Sequence, residues 1–502
     1  MQHKELLAMS PLSRTDRTHL AVLIAFWALA PALPALFSGG FIGQGSTDLY
    51  PSIWGLWSFA QAQPALPVWT DQIAAPTGIG FFYSSPLHGW AAWPLLPVLG
   101  ITATWNILLI GSRIAGVWVA HWAARAWGFK PAGALMAAAI YGCAPFFHGY
   151  AVEGIVEGQT GWALALWLGW VGLGRTRLAA FAFGLTVISS WYMAASACLL
   201  AVLIPKKAWR SAGLGLLFAL PVLWAFLHAF PERELLDPAV RRMMGSQIGT
   251  WTPGLAEGIN PFAKTSWIGF GVFALCASQA LRHPRVVVAC FVFWILSMGL
   301  PLVYELPLFS ALRFPYRLHA GTLVLLAFLG AKAVQDRKWA PMAVGWVVLE
   351  GLALSPIEPI LPHAPSTQPT VYQNIQGQVL LDIPGPFARA PGLHNPSRPR
   401  ARWFLYGQLE HGMASPWAPD FNSVGIEKTE NTDIAALRVL DPHWPGGLSE
   451  GLSIPQFVDH VVLHTRLLGQ NAEMAHSFLL KDGWSQSFSD TEGRRRYARS
   501  KP

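Results

Sequence analysis

Charge is scarce in this sequence. Only 12% of its 502 residues are Asp, Glu, Lys or Arg, against about 25% in an ordinary soluble chain. A soluble enzyme needs charged surface on every domain, whereas a protein surrounded by lipid hides most of its perimeter in hydrocarbon. Cysteine is scarcer still, with four residues. Cys143, Cys198, Cys276 and Cys290 all lie in apolar stretches without CxxC or Cys/His spacing, which excludes a disulfide-stapled scaffold and supplies no metal motif. A Walker loop, a GxGxxG after a strand and HExxH are also missing, so nucleotide hydrolysis, dinucleotide redox chemistry and that metallohydrolase class lose their signatures. No internal repeat suggests a transporter built from two related halves.

What is abundant is apolar. Hydrophobic residues make up 53% of the chain, with 25 Trp and 28 Phe, and aromatics collect at the membrane–water interface. The formal charge of +8 would suggest a nucleic-acid partner if it were clustered on one soluble face. It is not. Up to residue 355 there are 22 Lys and Arg against 13 Asp and Glu, and from 356 onward 13 against 14. The excess basicity belongs to the hydrophobic part, where it reports topology; no nucleic acid is expected.

Apolar stretches approaching the ~20 residues that cross a bilayer recur through the first part of the chain. They fall at 19–38, 103–124, 131–147, 160–174, 178–190, 192–204, 211–230, 266–281, 285–303, 318–334 and 339–355, eleven in all. With the N-terminus and its Lys4, Arg14 and Arg17 inside, the successive inner turns carry Arg125/Lys130, Arg175/Arg177, Lys206/Lys207/Arg210, Arg282/Arg285 and Lys332/Arg337/Lys338. The opposite side is poor in Lys and Arg: the loop from Ser38 to Ser85 has none. Reading 178–204 as one span would put the three downstream inner turns on the wrong side, so two short helices are expected there. A basic leader before small residues also fits a cleaved signal peptide, but the polytopic pattern behind it favours a retained span.

From Pro356 the composition turns to Pro, His and charge with short apolar runs. The expected architecture is an all-α polytopic membrane domain over residues 1–355, with about 11 transmembrane helices, followed by a small soluble extracytoplasmic α/β domain over 356–502. Gln378 to Ile383, Trp403 to Tyr406, His460 to His464 and Trp484 to Phe488 read as short strands, and 466–480 as a helix.

The few charges on the outer side are candidates for chemistry. Asp48 follows the first span, where a partly buried carboxylate can serve as a general base or metal ligand; helix N-capping is the plainer role. Trp54 and Trp57, at helical spacing, suit interfacial anchoring or contact with a sugar. In HGYAVEGIVEGQTGW, Glu153 and Glu157 stand one turn apart if the segment is helical. Together with His148 they form a second acid or a site for a divalent cation such as Mg or Mn; a solvated loop is the plainer alternative. In ELPLFSALRFPYRLHAG, Arg313 and Arg317 run against the positive-inside tendency, and a guanidinium fork suits phosphate. Contact with lipid headgroups accounts for them equally simply. The outer stretch from Pro231 to Lys264 mixes Arg233, Arg241 and Arg242 with acids and has no specific spacing.

An acid after the first span, Trp-bearing juxtamembrane helices, Pro76 and Gly78, and then SPLHGW…PLLPVLG before the second span together resemble the GT-C superfamily of integral-membrane glycosyltransferases. The likeness is to bacterial family-39-like members with an outer-face α/β domain, whose strand-forming segments VYQNIQGQVLLDIPGP, RWFLYGQLEHG and FVDHVVLHTRLL resemble. The resemblance implies transfer of a sugar, with inversion, from a polyprenyl-phosphate donor to a cell-envelope glycan or lipid acceptor. It maps the catalytic base onto Asp48, a second acid onto Glu153 or Glu157, donor-phosphate binding onto Arg313 and Arg317, and acceptor or sugar contact onto Trp54, Trp57 and His88. The first loop lacks the adjacent Asp-Glu pair of protein mannosyltransferases, so a protein hydroxyl acceptor is not indicated. The implied location is the bacterial inner membrane with the tail domain periplasmic. Two alternatives stand beside it: a non-catalytic GT-C-like protein that binds or organises envelope glycans, and a lipid-linked glycan transporter or polymerase.

Overall fold

The computed structural model describes residues 12–45, 48–203, 207–229, 267–300, 312, 314–385, 403–417, 434, 436–440 and 451–499. By its contacts the chain forms two compact units. One takes the described residues of 1–44, 84–223 and 235–364; the other takes those of 45–83, 224–234 and 365–502.

The first unit is helical. Its elements are α1 (Arg14–Ser38), α3 (Pro86–Ala126), α4 (Pro131–Val152), α5 (Gly161–Gly172), α6 (Thr176–Ser189), α7 (Trp191–Leu203), most of α8 (Lys207–Ala229), α9 (Phe270–Ala277), α10 (Pro284–Ser297), α11 (Pro315–Val334) and α12 (Ala340–Ala353). Among the described residues five helices (α1, α3, α4, α8 and α11) are long and apolar enough to cross a membrane. The chain from 176 to 203 forms two helices, because Ser190 takes an extended conformation between them (φ −165°, ψ 125°). Gly100 breaks α3 with φ 71° and ψ 172°, a conformation open to glycine but strained for a residue with a Cβ. Residues 101–126 then cover roughly 39 Å at 1.5 Å per residue, enough for a hydrocarbon core of about 30 Å.

Burial separates the centre from the rim. In the apolar window of α4 94% of the residues are buried, against 28% in α3 and 33% in α8. The outward faces carry Trp118, Phe181, Phe218, Phe273 and Trp346, as a lipid-facing perimeter does. Gly142 lets α3 and α4 touch backbone to backbone, since a Cβ there would stand 2.6 Å from Val117 Cα; membrane helices commonly associate through such small residues. Two buried polar groups fix other joints. The Glu350 carboxylate on α12 accepts from the Phe270 and Gly271 amides, serving from outside the helix as the N-terminal cap of α9. Asn106 on α3 donates to the Gly40 carbonyl and accepts from the Ile42 amide, each at 2.9 Å, and so pins β1 (Phe41–Ile42), which pairs with β4 (His363–Ala364).

The second unit joins the first loop to the tail. It contains α2 (Leu49–Gln61), the hairpin of β2 (Trp69–Thr70) and β3 (Ile79–Gly80), α13 (Trp403–His411), α14 (Ala472–Lys481) and a four-stranded sheet. The sheet is ordered β5-β6-β8-β7, from β5 (Leu380–Ile383), β6 (His460–His464), β7 (Trp484–Ser489) and β8 (Arg494–Arg499), with β5 and β6 parallel and the other neighbours antiparallel. Residues 72–75 lie against 415–417: the Ser415 amide donates to Gln72 O at 2.9 Å and the Ala75 amide to Ser415 O at 3.0 Å.

Two features of the tail differ from expectation. Trp403 to Tyr406 is helix, not strand, because the run continues as α13 to His411 and ends at Gly412 with φ 64°. A four-residue apolar run carries no period that separates the two, and left-handed glycine is a common helix stop. The strand β8, RRRYAR, is not legible in the sequence because four of its six residues are arginine; yet it lies inside the sheet, with Tyr497 fully buried opposite Val461.

Candidate active site

In the first unit, α4 ends at Val152, and Gly154 (φ 67°) turns the chain into a short 3-10 turn at Val156–Thr160. Glu153 and Glu157 therefore do not share one helical face. Glu157 is held by Arg317: its Oε1 pairs with the Arg317 Nη1, the two side chains being 13% and 8% exposed. Arg317 enters from the 3-10 turn at the head of α11. Its guanidinium carbon lies 4.5 Å from the Phe314 ring centre, 4.9 Å from Tyr192 and 5.5 Å from Tyr150. Cation–π attraction strengthens when the cation is desolvated, so the rings and the carboxylate together fix a buried cation. Tyr192 also ties the turn, its hydroxyl accepting from the Phe314 amide at 2.8 Å. Arg313 and the segment 230–266 lie outside the described residues.

His148, on the last turns of α4, is committed elsewhere. Arg113 Nη2 lies 3.2 Å from its Nδ1, and its Nε2 lies 2.8 Å from the Glu358 carbonyl. Arginine only donates, so Nδ1 accepts and the Nε2 proton goes to Glu358, an assignment that leaves the ring no lone pair for a metal. Among the described residues no three His, Cys, Asp or Glu side chains converge as metal ligands. The set of Glu153, Glu157 and His148 does not fit a bound Mg or Mn ion. His88 is equally committed: Ser85 Oγ lies 2.7 Å from its Nδ1 and Ser112 Oγ 2.9 Å from its Nε2.

In the second unit, Asp48 stands at the residue before α2 and its carbonyl accepts from the Ser52 amide at 3.0 Å. Its side chain makes no capping hydrogen bond and is half-buried. Trp54 is fully buried edge-on against Phe81 (5.3 Å, 79°), and Trp57 is half-buried. The tail holds a polar cluster that sequence reading passed over: Asp382 Oδ1 accepts from the Tyr372 hydroxyl at 2.5 Å and lies 2.7 Å from His464 Nε2. Burial, and then the Asp382 carboxylate, push the Tyr372 phenol well above its ordinary pKa. The signal was available in the register of β5 and β6, but only once those strands are known to be adjacent.

No protein-family model matches the chain, and no curated protein is similar to it in sequence. Solved structures are. The arabinofuranosyltransferase AftD from mycobacteria superposes with a TM-score of 0.61 at 16% identity over 98% of this chain and 40% of that one. The Archaeoglobus fulgidus oligosaccharyltransferase (0.49, 12%, 97% and 74%) and Cupriavidus metallidurans ArnT bound to undecaprenyl phosphate (0.49, 13%, 96% and 98%) are further matches. The chain spans 40% of the length of the arabinofuranosyltransferase. That first superposition, over almost the whole chain, shows that this chain shares the fold of the matched part of the arabinofuranosyltransferase.

Proposed function

We propose that the protein is a membrane glycosyltransferase that moves a hexosyl or pentosyl group from a polyprenyl-phosphate donor to an envelope glycan or lipid acceptor. The observation that carries this reading is Arg317: a buried guanidinium, oriented by Glu157 and ringed by Phe314, Tyr192 and Tyr150, in a chain of GT-C fold. A cation fixed before reaction stabilises charge where it develops, without reorganising. In the proposed step an acceptor oxygen bonds to the anomeric carbon from the face opposite the phosphate. The bond from that carbon to the phosphate oxygen breaks, and the electron pair leaves with the polyprenyl phosphate. The acceptor proton passes to Asp48, and Arg317 offsets the growing phosphate charge. The configuration at carbon inverts.

The alternation of basic turns supports an inner-membrane protein with its N-terminus cytoplasmic and residues 356–502 on the periplasmic side. The donor's isoprenoid tail stays in lipid while its phosphate meets the outer interface. The test is sugar transfer by the purified protein in lipid nanodiscs supplied with a polyprenyl-phosphate sugar. Asp48→Asn and Arg317→Ala should abolish transfer while the protein remains folded. Transfer at the unsubstituted rate in Asp48→Asn would refute the base assignment. A second reading, a glycan-binding protein of GT-C fold, draws on the neutralisation of Arg317 by Glu157; it predicts saturable donor binding with no product.

A further inference from the structure

Arg113 lies inside α3 and is 3% exposed. Its Nη2 donates to the Trp27 carbonyl and to His148 Nδ1, but Nε and Nη1, both buried, have no partner among the described residues. Neither does the Trp162 indole nitrogen. Arg113 and Trp162 line one cavity of about 10 Å³, with Gly116, Gly142 and Gln159. That is near the lower limit, about 10 to 15 Å³, at which a cavity holds a single water-sized species. A permanent cation here is buried, and all its recorded partners among the described residues are neutral acceptors. A charge placed among membrane helices without a counter-ion is costly. A water molecule could take up the idle N–H groups but would leave the charge uncompensated.

We propose that this cavity is a binding site for a single monatomic anion, a halide, held by Arg113 Nε and Nη1 and by Trp162 Nε1. It would join α1, α3, α4 and α5 by neutralising the cation at their junction. The lining of the cavity does not include Arg317, Glu157 or the rings around them, and the test of the site needs no enzymatic activity.

The experiment is thermal unfolding of the purified full-length protein in sodium gluconate at fixed ionic strength, with chloride or bromide replacing gluconate stepwise. The Tm should rise saturably with either halide, as for a ligand that binds only the folded state. Trp162→Phe removes one donor and keeps the ring, and should raise the half-saturating halide concentration at least about tenfold. Gly116→Ala is a second, charge-neutral probe: its methyl would meet nothing nearer than Gly142 O at 4.0 Å, so the fold tolerates it while the cavity fills. It should abolish the halide response. Bromide should also give an anomalous scattering peak beside Arg113. An equal Tm in gluconate and halide, which is what an occupying water would give, overturns the proposal. So does a halide response unchanged in both variants.

Discussion

Glu157 and Arg317, 160 residues apart in sequence, close on one another inside the helical unit, with both side chains almost wholly withdrawn from solvent. Removing one partner of such a pair strands the other charge and costs about 3–5 kcal/mol, whereas removing both costs less. Glu157→Gln and Arg317→Met should each destabilise by about that amount, and the double variant by less than the sum. A double-mutant cycle of unfolding free energies in lipid nanodiscs reads the difference. Arg317→Lys should not restore sugar transfer, because a point-like ammonium cannot fill a planar fork set among rings.

Gly158 tests whether the aromatic ring around Arg317 matters. A Cβ there would stand 2.1 Å from Tyr150 Cγ, so Gly158→Ala must displace the tyrosine from the guanidinium. Loss of that cation–π contact and the repacking it forces should cost about 1–3 kcal/mol of stability. Transfer should fall further in Gly158→Ala than in Tyr150→Phe, which keeps the ring. Both are measured by initial rate and Tm on the same preparations.

Glu350 caps α9 from a neighbouring helix, with both carboxylate oxygens on backbone amides. Charge-assisted bonds at a helix N-terminus gain from the dipole as well. Glu350→Ala should destabilise by about 2–4 kcal/mol, and Glu350→Gln, which retains one acceptor, by about 1–2 kcal/mol. Hydrogen exchange should rise first at Phe270 and Gly271.

His411 gives the tail unit a pH dependence with a definite sign. Burial holds its imidazole down at about 4, with Asp382 pulling it up and His460 pushing it down, and its Nδ1 accepts from the Met413 amide at 3.0 Å. The unfolded chain has a histidine pKa of about 6.5. The contribution of His411 to stability is therefore complete above that value. It falls as the unfolded state takes up the proton first, by roughly 1.4 kcal/mol per pH unit down to about pH 4, and then levels off. His411→Gln should flatten this part of the curve, measured by amide exchange of residues 403–417 between pH 7 and pH 4.

Arg317 is conspicuous in the sequence because it runs against the expected positive-inside alternation, and Glu157 is a candidate for chemistry there; their pairing is not legible because nothing local links α11 to the turn after α4. Arg113 is conspicuous in the sequence as an arginine inside the apolar stretch 103–124, but nothing local shows what it contacts. The separation of Glu153 from Glu157 turns on one residue, Gly154, whose positive φ ends the helix between them. In the tail, α13 and β8 are hard to read from sequence for the same reason. Short segments take their form from what they pack against, Tyr50 stacking on Tyr406 and Val461 facing Tyr497, and such neighbours come from distant parts of the chain.

The bond from Arg113 to the Trp27 carbonyl has a counterpart four residues further along α1. Pro31 has no N–H to return to that carbonyl, so the proline leaves open an acceptor that the arginine occupies. The two positions are thus coupled through one oxygen atom. Pro31→Ala would offer the carbonyl a partner within its own helix and make the arginine partly redundant there. Substitutions at Arg113 should then be milder in a Pro31→Ala background, and across drifting sequences of this fold the proline and the arginine should be gained and lost together.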